Sequence, residues 1–144
     1  MNARPFPLTL LVGMVLLLSA CRAQPAALSD EAVTQVTTDL LTALSAGRQE
    51  DFVRDFSDDM RALFMEEARF TALRTMLQET SGNFISCAAP SLFNRGDYAV
   101  YRLRCRFEQE DVMVTVVFKK VDGDRVEGLY FDSPNLRARN RQAQ

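Results

Sequence analysis

The chain of 144 residues contains no histidine. It therefore lacks the usual general base, the usual zinc ligand and every Ser-His or Cys-His nucleophile arrangement. It also lacks a charge excess, because 17 Lys+Arg stand against 19 Asp+Glu for a formal net charge of −2. That balance gives no basis for nucleic-acid binding. Cysteine is sparse, being confined to Cys21, Cys87 and Cys105. No internal repeat is visible, and the main apolar run, Leu8 to Leu18, falls short of the about 20 residues that a membrane-spanning helix needs. What the chain does hold is 47% hydrophobic residues, 10 of them phenylalanine. This is enough to build a core, and the length suits one domain.

The N-terminus reads as a secretory leader over residues 1–20, in which Arg4 precedes the apolar run. Its Leu18-Ser19-Ala20-Cys21 end resembles the lipobox of bacterial lipoproteins. The resemblance implies that Cys21 becomes the lipidated first residue of the mature protein. It also implies a bacterial cell envelope location, membrane-attached through lipid and facing the extracytoplasmic side. The alternative is an ordinary cleavage site followed by a chance cysteine. Residues 21–28 are small, polar and proline-containing, and read as a tether.

A folded domain is expected over residues 29–132. Ser29 offers an N-cap oxygen, Asp30 and Glu31 suit the positive end of a helix, and Val33, Val36, Leu40, Leu41 and Leu44 follow at helical spacing. Gly47 ends that helix. Phe52 and Phe56 predict a short second helix over Gln49 to Phe56. Ser57 can cap a third piece, whose stripes Met60, Leu63, Phe64 and Phe70, Leu73, Leu77 change phase across Met65 to Ala68. That change predicts a bend. Gly82 closes the helical half.

Beyond Gly82 the period becomes that of strands. Asn83 to Ala88 is a candidate first strand, and Asn94-Arg95-Gly96-Asp97 is turn chemistry. Tyr98 to Phe107 alternates strictly, with Ala99, Tyr101, Leu103, Cys105 and Phe107 on one face and Tyr98, Val100, Arg102, Arg104 and Arg106 on the other. Val112 to Lys119 returns in phase, Asp122-Gly123 signals a hairpin, and Val126 to Phe131 completes a meander. Residues 133–144, with Arg137, Arg139 and Arg141, read as a basic flexible tail. If Gly96 centres the first hairpin, symmetry sets Cys87 opposite Cys105, and paired positions in an antiparallel ladder are close enough to bridge. An even pair in an oxidising compartment agrees with a disulfide. Two buried free thiols are the other possibility.

The expected class is α+β, with three N-terminal helices packed on a curved antiparallel four-stranded meander. The residues that carry a likeness are Leu40-Leu41 and Leu44 running into Gly47, Asp51-Phe52, Phe56-Ser57-Asp58-Asp59-Met60, Leu73, Leu77, Gly82-Asn83-Phe84, Tyr98 to Phe107 and Val126 to Phe131. In this order they resemble the cone-like fold of nuclear transport factor 2-like and cystatin-like domains, among small uncharacterised bacterial lipoproteins. That resemblance implies a fold that hosts enzymes, ligand binders and docking modules alike.

Three constellations bear on function. Arg102, Arg104 and Arg106 share an outward strand face, where guanidiniums can meet a carboxylate-bearing partner such as cell-wall polymer or an acidic protein patch, or simply be solvated. Asp51, Asp55, Asp58, Asp59, Glu66 and Glu67 match no calcium loop and read as capping and solvation. Tyr101 with Asp132 could transfer protons, as in steroid-isomerase-like relatives of the fold, though nothing in the chain brings the two together. No metal or cofactor is implied. The reading that follows is a lipid-anchored, non-enzymatic docking module. The alternatives are a small apolar ligand bound inside the cone and, ranked below it, a proton-transfer enzyme.

Overall fold

The computed structural model describes residues 28–121 and 123–142. The leader, the lipobox with Cys21, the tether up to residue 27, and Asp122 of the hairpin signal lie outside the described residues. The fold is α+β, and the described residues form five helices and one antiparallel sheet of five strands.

The first helix, α1 (Asp30–Ala46), begins and ends where its chemistry dictates. Ser29 Oγ accepts from the Ala32 amide at 3.2 Å, and Gly47, at φ 73°, turns the chain so that the Gly47 and Arg48 amides reach the Leu44 and Ala43 carbonyls. Its buried stripe is Val33, Thr37, Leu40, Leu41, Ala43 and Leu44. The next helix, α2 (Gln49–Phe52), is shorter than the phenylalanine spacing predicts. It stops because Asp55, Phe56 and Ser57 leave the helix for the last strand. The Val126 amide donates to Asp55 O at 2.8 Å, and the Ser57 amide donates to Val126 O at 2.9 Å. The Ser57 hydroxyl, expected to cap the following helix, makes no cap bond and is buried without a hydrogen-bond partner among the described residues.

The bend expected near Met65 separates α3 (Asp58–Phe64) from α4 (Glu67–Thr80). Phe52, Phe56, Phe64 and Phe70 meet there with ring centroids 4.9–5.8 Å apart. Edge-on pairs of this kind add about 0.5–1.5 kcal/mol each beyond the area they bury.

The sheet differs from a four-stranded meander. β1 (Phe84–Cys87) and β2 (Ser91–Arg95) lie end to end along one edge of β3 (Tyr98–Phe107), whose other edge pairs with β4 (Asp111–Lys119), followed by β5 (Val126–Asp132). Pro90, lacking an N–H, stands in the gap between β1 and β2 and cannot continue a ladder. The hairpin turn is Gly96-Asp97, closed by the pair Arg95 and Tyr98. Continuing that register would set Cys87 opposite Arg106. The break before Ser91 shifts it by one residue, and Cys87 faces Cys105 instead, with a Cα separation of 4.0 Å and the sulfurs at bonding distance, 1.97 Å. A one-residue shift exchanges the two faces of a strand. The irregularity is thus what turns Cys87 toward the buried side.

One hydrophobic cluster joins α1, α2 and α4 to the inner face of β3 and β4. Leu103, Cys105, Val112, Val114 and Val116 are completely buried, and the leucine and each valine contribute roughly 1.5–3 kcal/mol. The polar C-terminal segment, read as a flexible tail, is helical over α5 (Pro134–Gln142). Its Leu136 is buried, and Ser133 Oγ accepts from the Leu136 amide at 3.1 Å. Glu110, from the β3–β4 turn, accepts from Ser81 Oγ, Ser133 Oγ and the Asn135 amide, while Asn135 Nδ2 donates to Thr80 O. Arg139 pairs with Glu79 at 2.6 Å. The sequence shows no apolar period here because a single leucine and a distant glutamate hold the helix.

Candidate functional site on the outer sheet face

The face of the sheet turned away from the helices gathers exposed aromatic rings and arginines on neighbouring strands. Ladder register sets its rows. Phe93, Val100, Val117 and Gly128 stand directly across four neighbouring strands. The next row is Ser91, Arg102, Thr115 and Tyr130, and on the other side stand Arg95, Tyr98 and Lys119. Small side chains in the middle row between larger ones leave a trough of about 680 Å³. A volume in the range of roughly 300–1,000 Å³ is typical of small-molecule sites.

Its ends are aromatic. Phe93 is 45% and Tyr130 63% exposed, and Tyr98 on the rim is 41% exposed. Tyr130 leans back over Gly128, where a Cβ would stand 3.1 Å from Tyr130 Cε2 and 3.3 Å from Val117 Cγ2. The absent side chain is what lets the ring lie there. The Arg102 guanidinium sits 4.9 Å from the centre of the Phe93 ring, a cation over the negative face of an aromatic. Glu127 also lines the trough, but its carboxylate is taken by Lys119 at 3.2 Å.

The arginine trio read from the sequence is divided by the structure. All three point outward, but only Arg102 lines the trough. Arg104 stands one row further along, opposite Met113, and Arg106 lies beyond it, 3.9 Å from Asp111. Arg95, on β2, joins Arg102 at the trough. Among the described residues no carboxylate lies within ion-pair distance of Arg95, Arg102 or Arg104. Phe93 and Arg95 escape sequence reading because β2 carries no alternation of buried and exposed residues: all five of its residues are exposed. Tyr130 stands on the outer phase of β5, opposite Thr115.

Tyr101 and Asp132 are not brought together. Tyr101 points inward and its hydroxyl donates to Leu28 O at 2.9 Å. Burial, with a lesser contribution from the Asp30 carboxylate, holds its pKa above the ordinary value of 10.0. Asp132 is on the outer phase of β5, opposite Met113, and pairs with Arg137 at 2.9 Å. The acidic residues of the helical half serve as ion-pair partners and first-turn charges, with Asp51 on Arg48, Glu66 on Arg69, and Asp58 and Asp59 at the start of α3. No helix among the described residues is long and apolar enough to cross a membrane. Comparison with family models, curated proteins and solved structures finds nothing that matches this chain.

Proposed function

We propose that this protein is a lipid-anchored, non-enzymatic docking module of the bacterial cell envelope, a cone-like domain of the nuclear transport factor 2-like and cystatin-like kind. Cys21 holds it to a membrane on the extracytoplasmic side, and the outer sheet face meets the partner. The observation that carries the reading is that face itself, with three exposed aromatic rings beside guanidiniums that have no carboxylate of their own among the described residues. Aromatic residues and arginine are the side chains that binding surfaces concentrate. The Cys87 and Cys105 sulfurs at bonding distance agree with an oxidising compartment. The inner face, filled by Tyr101, Leu103, Val114, Val116 and Phe118, favours docking on the outside over a ligand held inside.

Two measurements test this. Cys21→Ala is expected to move the protein from the membrane fraction to the soluble envelope fraction and to abolish incorporation of a palmitate analogue. A photo-crosslinking residue at Tyr98 is expected to capture envelope material that the same residue at Thr75, on α4, does not. Membrane retention of the Cys21 variant refutes the anchor, and equal capture from both positions refutes the docking face.

A further inference from the structure

We propose that the outer-face trough binds a carboxylate-bearing saccharide. The inference rests on the docking reading and names the chemistry of its occupant. A sugar ring presents C–H groups on its faces and hydroxyls around its rim. The trough offers a matching apolar floor, Val100, Val117 and Gly128, with the exposed rings of Phe93 and Tyr130 at its two ends. Three inter-strand spacings make it about 14 Å long, the length of a few sugar rings. Thr115 supplies a hydroxyl along it.

Charge then selects the sugar. Arg102 and Arg95 line the trough, Arg104 stands in the next row, and among the described residues none has a carboxylate within ion-pair distance. Elsewhere on the domain Arg48, Arg69, Arg137 and Arg139 are neutralised by Asp51, Glu66, Asp132 and Glu79, while Arg61, Arg74, Arg125 and Arg141, which also lack an ion pair among the described residues, lie outside the trough. A planar guanidinium fixed over Phe93 matches a carboxylate with two parallel hydrogen bonds.

Two other occupants fit less well. A second copy of this chain, docked through the same face about a two-fold axis, would bring the unpaired arginines toward one another, and like charges at an interface are repulsive. An acidic peptide crossing the strands would find the backbone groups of β3 and β4 already used in the ladder, leaving its own N–H and C=O groups poorly satisfied over the apolar floor between them.

The test is calorimetric titration of the full-length chain, purified in detergent, with tetragalacturonate, its methyl ester and hexaglutamate. Tetragalacturonate is expected to bind, and more weakly as salt is added. The variant Arg102→Gln should lose about tenfold in affinity or more, the scale of a charge-assisted hydrogen bond, and the methyl ester, which also removes the partner of Arg95, should lose at least as much. Tyr130→Ala should also weaken binding, and both variants should keep the wild-type melting temperature because both side chains are exposed. Equal binding of the acid and its methyl ester, or indifference to Arg102→Gln and Tyr130→Ala, overturns the proposal. If hexaglutamate binds as tightly, with the same dependence on Arg102, the saccharide is wrong while the docking face stands. If neither acidic probe binds, the saccharide is again wrong, and the crosslinking contrast between Tyr98 and Thr75 decides separately whether the face docks anything.

Discussion

Breaking the Cys87–Cys105 bridge is expected to lower the unfolding free energy by about 3 kcal/mol. The two cysteines are 18 residues apart, and on the chain-entropy model closing a loop of that size removes roughly this much freedom from the unfolded chain at 25 °C. With about 2.1 cal/mol/K of unfolding entropy per residue, a domain of this length should melt about 12 °C lower. The clean perturbation is the double variant Cys87→Ala, Cys105→Ala. Cys105 is completely buried, so serine there would add the cost of an unpaired buried hydroxyl. The assay is thermal unfolding followed by circular dichroism, on the variant and on wild type with and without reductant, with mass spectrometry after alkylation to count free thiols. The loop so closed contains β2 and β3 as far as Cys105. Reduction should therefore loosen the Phe93 end of the trough first, seen as faster amide exchange over Ser91–Arg95 at temperatures where the rest of the domain stays protected. A loss below about 1 kcal/mol would refute the reasoning, since it would mean that the unfolded chain keeps the β2–β3 hairpin and has little freedom left for a bridge to remove.

Leu103→Ala, at a completely buried position, should cost about 2–5 kcal/mol by denaturant titration, whereas Arg104→Ala one residue on should cost almost nothing. Tyr101→Phe removes the hydroxyl bond to Leu28 O and should cost about 1 kcal/mol at neutral pH. The folded state holds the Tyr101 proton more tightly than the unfolded chain does. Its contribution is therefore complete below the unfolded value near 10.0 and is lost as pH rises through the raised folded value. Stability curves of wild type and Tyr101→Phe should converge as pH climbs above 10.0, and parallel curves would disprove the assignment. Ser133→Ala removes the α5 cap and should cost about 1 kcal/mol, read as faster exchange confined to Pro134–Gln142.

How much of this was legible in the chain varies with how local its cause is. The limits of α1, the bend between α3 and α4 and the inward faces of β3 and β4 follow from caps, glycines and periods within a few residues, and all lie where that chemistry puts them. The cysteine pairing was legible too, although by a symmetry centred half a residue from the true turn. The irregularity between Cys87 and Ser91 makes up the difference.

What lay beyond the sequence was every feature whose partner is distant. The α5 helix depends on Glu110 reaching Ser133 and Asn135 across more than twenty residues. The short α2 depends on Val126 drawing Asp55 and Ser57 away. The trough depends on Phe93, Val117 and Gly128 being set across neighbouring strands, and on Gly128 leaving room for Tyr130. Periodicity can assign a side chain to a face, because that follows from the chain's own geometry. It cannot say which side chains from other strands will stand beside it, because register is settled by the joint packing of the whole sheet.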